Sequence, residues 1–418
     1  MAKELALFGG EKTKQSPFGN GKRFGEEERK QLVEALDQNT LFYWMGHKVK
    51  NFDEKFAKMY GVPYCVAASS GTASIHTALS AVGVTAGDEV ITSPITDMGS
   101  VIGILYQNAI PVFADVDPHT YNISPESVEQ KITDKTKAIL VVHLAGNAAD
   151  MDKIMDIAKR HNVKVVEDCA QAYLCSINGR LVGTIGDAGC FSLNDFKHIS
   201  AGDGGMMITS EETVFRKAFR FVDKNYDRLA KDSGGMRRVE YLAPNYRMSE
   251  LQGAVGIAQL DRLQWICSMR GKLGTAITEG IKDLPGIYPP AVAPGVTSSY
   301  WFYMFRIDSE EAGVDRDKFS EALAAEGIPN QPGYIPSCIY EYDMFRNKNV
   351  FPGSDIPFSI RHNPEEIQYY KGMCPIAEEV LNTAVRVELS EFYTEQDAQD
   401  IVSAISKVSK YFYAKKNS

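Results

Sequence analysis

Between Tyr64 and Thr209, short runs rich in β-branched residues alternate with segments of helical period, and this alternation restricts the fold more than any other feature. YCVAAS (64–69), DEVITSP (88–94), IPVFADVD (110–117), KAILVVHL (137–144), VKVVEDCA (163–170), GCFSLN (189–194) and GGMMITS (204–210) read as strands. SGTASIHTALSAVGV, MGSVIGILYQN, SPESVEQKIT and MDKIMDIAKRHN read as the helices between them. Strands separated by helices specify a mainly parallel sheet with right-handed crossovers and helices on both faces. The Val- and Ile-rich strands agree, because a parallel sheet is buried on both sides. The expectation is an α/β fold with a mainly parallel sheet of about seven strands.

On either side the pattern changes. Residues 1–24 are polar and read as an arm on the surface. GEEERKQLVEALDQ (25–38) and Asn51–Tyr60 read as helices. Residues 210–245 are highly charged, reading as a solvated helix and then a mobile loop at Ser233-Gly234-Gly235. Residues 248–286 read as one or two long helices. After Pro285 a strand (SSYWFYMFRID), a helix (DRDKFSEALAAEG) and a C-terminal helix suggest a second, α+β unit. The expected division is an arm at 1–24, a large domain at 25–287 and a small domain at 288–418.

Several function classes are disfavoured. A net charge of −9 over 418 residues offers no basic stripe for nucleic acid. No run of 18 apolar residues suggests a membrane span. The N-terminal residues lack the apolar core of a signal peptide. Seven scattered cysteines without a C-x-x-C pair argue against a zinc ribbon or redox dithiol and fit reduced thiols in the cytoplasm.

The chemistry falls at strand ends, where ligands bind open α/β sheets. Ser69-Ser70-Gly71-Thr72 is a strand-to-helix turn suited to a phosphate, although Ser70 or Thr72 also suits a plain helix cap. Asp168 follows VKVV and offers a carboxylate. Lys197 lies between Ser192 and Gly202-Asp203-Gly204-Gly205. A lysine held partly desolvated beside such a turn can become a neutral nucleophile. A phosphate turn, a carboxylate and an amine in this order are what pyridoxal phosphate needs.

The motifs SSGTASIHTAL, VHLAGNAADMD, VEDCAQA, FSLNDFKHISAGDGG, NYRMSELQGAVGIAQL and CPIAEEVLNTAVRVEL, in that order, resemble the DegT/DnrJ/EryC1/StrS aminotransferases. The resemblance implies a fold-type I, pyridoxal-phosphate-dependent transaminase. It would move an amino group from glutamate or glutamine to a ketosugar or ketocyclitol. Lys197 resembles the Schiff-base lysine and Asp168 the partner of the pyridinium nitrogen. Gln171 matches a position near the phenolic oxygen, and Ser70, Gly71, Thr72 and Ser192 match the phosphate site. Asn245 resembles the asparagine that reaches the phosphate from a neighbouring subunit, which implies a homodimer. Arg247 is a candidate for binding a substrate anion, with a structural ion pair as the alternative. His198 follows the lysine; it is a candidate substrate contact or a structural residue. His143 lies near the site or is a satisfied buried histidine. Asp97 stands where the family has an aromatic residue stacked on the cofactor ring, leaving Met98 as a possible substitute. Asp203 and Asn194 are lesser departures. Alternatives on the same fold are a dehydratase or dehydrating aromatase, and a non-catalytic regulatory protein.

Overall fold

The computed structural model describes residues 4–230 and 237–417; the expected loop at Ser233-Gly234-Gly235 lies outside them. Seven strands form the main sheet. They are β1 (Tyr64–Ala68), β2 (Glu89–Thr92), β3 (Ile110–Phe113), β4 (Thr136–Val142), β5 (Lys164–Asp168), β6 (Ala188–Ser192) and β7 (Gly205–Thr209). Their spatial order is β1-β7-β6-β5-β4-β2-β3. The pairs β2–β3, β2–β4, β4–β5 and β5–β6 are parallel. β7 runs antiparallel to both of its neighbours. Ala138, Ile139, Leu140 and Val141 of β4 are all fully buried, as covering of both faces requires.

Register decides what can meet at the sheet's edge. Gly205, the first residue of β7, pairs with Ala68 at the end of β1 and with Ser192 at the end of β6. Asp168, the last residue of β5, pairs with Cys190 and with Val142. The ends of these five strands therefore lie along one edge. Only glycine fits at 205, because a Cβ there would stand 2.1 Å from the Ser70 carbonyl oxygen.

The chain between 248 and 286 forms a single helix, Glu250–Ile281, rather than two. Ser249 and Gln252 cap it reciprocally. Leu260 and Leu263 from its first half join the core beneath the main sheet. Leu273, Ile277 and Ile281 from its second half join a different core. That second core is built on a four-stranded antiparallel sheet of β8 (Ile287–Tyr288), β9 (Phe302–Ile307), β10 (Asn330–Pro332) and β11 (Ala384–Glu388), in the order β8-β9-β11-β10. Helices Arg316–Ala325 and Glu395–Lys416 contribute Phe319, Ile401 and Ile405 to it.

The N-terminal residues are more than a surface arm. Leu5 is fully buried in the second core. Lys14 is buried and bonds Asp397 at 2.6 Å and Asp400 at 2.8 Å. An ordinary polar stretch is held in place because one leucine and one paired lysine anchor it. All seven cysteines are buried and free. Among the described residues, no helix is long and apolar enough to cross a membrane.

Candidate active site

The row of strand ends opens into a cavity of about 570 Å³. Its floor is the turn after β1. Ser70 is the N-cap of helix Gly71–Ala81, its Oγ accepting the Ala73 N–H at 3.1 Å. The free N–H groups and positive dipole end of that helix thus face the cavity. Gly71 is required here, since a Cβ would lie 2.6 Å from the Cβ of Ser192. Ser70, Gly71, Thr72 and Ser192 all line the cavity.

Lys197 lies in the connection from β6 to β7. Leu193 N–H bonds the Gly204 carbonyl at 2.8 Å, Ala201 N–H bonds Leu193, and Lys197 N–H bonds Asn194. Gly202, with φ +81°, allows the turn. Arg23, reaching in from the N-terminal segment, donates to the carbonyls of Asp195, Lys197 and His198. The backbone carrying the lysine is thus held from two sides.

The Lys197 side chain is buried, with its Nζ 3.7 Å from the centroid of the Trp301 ring. Burial lowers its pKa to about 8, with the charges of Asp168 and Asp97 opposing the shift. A consequence is measurable. At pH 7.5 about a quarter of Lys197 should be neutral, against roughly 0.1% for an ordinary lysine. In cofactor-free protein, its acylation by an amine-selective reagent should rise with pH through a midpoint near 8. Reactivity rising only above pH 10 would contradict this environment.

Asp168 is buried and does not line the cavity, but its charge acts on Lys197. Its carboxylate accepts from Ser100 Oγ at 2.7 Å and from Ala170 N–H at 3.0 Å. Burial raises its pKa, against the pull of Ser100, Ala170 and Lys197. A cation brought beside it restores the ionised form. Gln171 Oε1 accepts the Ala145 N–H, and its Nε2 donates to Tyr334 Oη at 3.1 Å. Gln171 therefore positions a cavity-lining tyrosine.

Asp97 does reach the cavity, in a role the sequence hides. It is the N-cap of helix Met98–Tyr106, accepting the Gly99 N–H at 2.8 Å. Asp203 also lines the cavity and accepts from Asn194 Nδ2.

The substrate-contact readings of His198 and Arg247 give way to their structural alternatives. His198 does not touch the cavity: it is fully buried, its Nε2 at 3.1 Å from the Ser299 carbonyl. Arg247 is held away from the cavity by Asp223 at 2.9 Å, with its guanidinium over Phe42. Asn245, expected to act on a neighbouring subunit, is exposed and forms a backbone bridge to Asp223 within its own chain. His143 is a satisfied buried histidine, between Glu167 at 3.0 Å and the Ala149 N–H. Trp301, Tyr334 and Arg23 carry no local motif and Arg386 lies within CPIAEEVLNTAVRVEL; none was singled out from the sequence.

A buried lysine of lowered pKa and a helix N-terminus lining one cavity, with a buried carboxylate whose charge reaches the lysine, fit pyridoxal phosphate. Over residues 22–406 the sequence matches the DegT/DnrJ/EryC1/StrS aminotransferase family, and the chain belongs to it. It is thus a pyridoxal-phosphate-dependent aminotransferase. It is 34% identical, across 100% of both chains, to a putative L-glutamine:3-amino-2,3-dideoxy-scyllo-inosose aminotransferase of Micromonospora echinospora. It is 35% identical to the L-glutamine:2-deoxy-scyllo-inosose aminotransferase of Streptomyces kanamyceticus, over 87% of this chain and 85% of that one. Among solved structures, an aminotransferase from Psychrobacter cryohalolentis superposes with a TM-score of 0.83 at 29% identity, covering 96% of this chain and 100% of that one. 3-Amino-5-hydroxybenzoic acid synthase gives 0.82 at 26%, covering 95% and 100%.

Proposed function

We propose that the protein transfers the amino group of L-glutamine or L-glutamate to the ketone of a cyclitol or sugar. The observation that carries this reading is the buried Lys197 amine, which shares the cavity with the helix start at Ser70, Gly71 and Thr72 and feels the charge of Asp168. Similarity over the whole length to glutamine-dependent inosose aminotransferases supports the substrate class.

In this reading Gly71, Thr72 and Ser192, with the helix capped by Ser70, hold the cofactor phosphate. Asp168 holds the ring nitrogen protonated, Gln171 lies toward the phenolic oxygen, and Asp97 caps the helix at the cavity's edge. Bound pyridoxal phosphate supplies an electron sink that stabilises negative charge at the substrate carbon. Lys197 Nζ takes the proton from the donor's amine-bearing carbon. It later delivers one to the acceptor carbon that gains the amine. The donor leaves as a keto acid, so the exchange balances. Trp301 and Tyr334 exclude water from the amine.

The working unit in this reading is a cytoplasmic homodimer whose 25–287 and 288–418 domains flank the cavity, with residues 1–24 packed across them. Asn245 would reach the partner's cofactor phosphate. Its exposure, and the exposure of Trp44, Met45 and Leu242, support such a contact. Buried free thiols suit a reducing compartment.

The test is a half-reaction. Cofactor-loaded enzyme mixed with glutamine alone should convert to the pyridoxamine form, seen as a shift to near-ultraviolet absorbance, and an added ketocyclitol should reverse it. An enzyme that dehydrates its substrate without a donor, and stays unchanged by glutamine and glutamate, would overturn the reading.

A further inference from the structure

Four consecutive main-chain carbonyls around Lys197, those of residues 195–198, accept hydrogen bonds from side chains that enter from elsewhere. Arg23 donates to three of them, Asp195, Lys197 and His198. Trp301 Nε1 donates to the fourth, Phe196, at 2.7 Å. The stretch is neither helix nor strand, so no regular ladder takes up its carbonyls. A guanidinium suits the task, because its five N–H groups form one rigid fork.

Arg23 is itself held. Its carbonyl accepts from Gln259 Nε2 at 2.6 Å and from Arg262 Nη1, both on helix Glu250–Ile281. Upstream, the Gly19 N–H donates at 3.0 Å to Asp397, the carboxylate that also pairs with Lys14. A strap tied beside the second core thus ends in a cation that grips the lysine's loop. Among the described residues, the side-chain hydrogen bonds of that cation all go to carbonyls. Its half-burial lowers its pKa, with the charges of Glu391 and Asp195 opposing. A charge partly withdrawn from water and bonded only to neutral groups costs stability, and such costs gather at functional sites.

We propose that Arg23 is a positioning residue for the reaction, fixing the Lys197 backbone so that one flexible side chain serves both substrate carbons. This rests on the reading above, in which Lys197 Nζ takes a proton from the donor and delivers one to the acceptor. A lysine amine stands at the end of a flexible stem, so its aim depends on a fixed Cα. Arg23 does not line the cavity, so neither substrate touches it. Its charge is not among those that shift the Lys197 amine. Its loss should therefore act on kcat, since misplacing a reacting group by about 1 Å can cost roughly 10²-fold.

The test compares wild type with Arg23→Ala and Arg23→Lys, each checked by thermal melting. Arg23→Ala should lower kcat by roughly 10- to 100-fold and leave the KM values of donor and acceptor unaltered. Arg23→Lys, with one ammonium in place of the fork, should keep more of the rate. Guanidinium ion, added below the concentration that lowers Tm, should restore part of the rate in Arg23→Ala. In cofactor-free Arg23→Ala the acylation midpoint of Lys197 should stay near 8, while amide exchange across residues 194–201 speeds up. Wild-type kcat in folded Arg23→Ala would overturn the inference, as would a loss carried by KM or a midpoint moved by a full pH unit. Should Arg23→Ala not fold, Arg23→Lys decides alone: lowered kcat at unaltered KM supports the inference, and wild-type kcat overturns it. A wild type that reacts with neither glutamine nor glutamate would overturn the reading of Lys197, and the inference with it.

Discussion

Lys197→Ala is expected to bind the cofactor phosphate and yet lose turnover by at least a thousandfold. The phosphate cradle comes from the helix N-terminus, Gly71, Thr72 and Ser192, none of which touches the lysine's role in proton movement. Removing a positioned general base alone costs about 10²–10⁴ in rate, and here the same amine also anchors the cofactor. Steady-state assay of the variant, with cofactor content measured in parallel, checks both halves. Substantial activity in Lys197→Ala would mean that another group moves the proton. The long side chain sits against Trp301, so a small amine added to the assay fills the space that alanine leaves and should restore part of the rate.

The second large effect is at Asp168. Asp168→Asn keeps the shape and one acceptor for Ser100 and Ala170 but removes the charge. Removing one member of a buried ion pair costs about 3 kcal/mol or more, a factor of roughly 100 or greater in rate. The loss should appear in kcat, because the charge matters most while negative charge develops on the substrate carbon. Asp168→Asn also takes away a negative neighbour of Lys197, so the lysine's midpoint in cofactor-free protein should move below 8, since Asp168 is among the charges raising it. A variant with unaltered kcat would remove Asp168 from the mechanism.

The parts of the site that were legible in the sequence are those carried by strand ends. A strand that runs into a helix leaves a local signature, as at Ser70-Gly71-Thr72, and so does a glycine cluster such as Gly202–Gly205. Alternation alone specified the parallel sheet. The antiparallel insertion of β7 was not legible, although it is what brings Ser192 and the β1 turn to the same glycine. Residues that enter from far along the chain were also invisible. Arg23 precedes the lysine by most of the large sheet, and Trp301, Tyr334 and Arg386 follow it by a hundred residues or more. Each is an ordinary residue in its local sequence, and only tertiary packing places it. β11 itself is five residues in a stretch that follows a helix without a break, and it was read only as part of a motif. Asp97 illustrates a different failure. Compared with the family it reads as a lost aromatic, whereas its own helix uses it as an N-cap. Arg247 and His198 were drawn toward the site by their neighbours in sequence, and Asp223 and Ser299 hold them elsewhere.

The central claim is that Lys197 is the residue bonded to the cofactor. Borohydride reduction of the cofactor-loaded enzyme, followed by peptide mapping, tests it most directly. The account predicts one phosphopyridoxyl group per chain, on the peptide containing Phe191–Thr209 and on the Nζ of Lys197. A stable label on any other lysine, or none in enzyme shown to hold the cofactor, would contradict it.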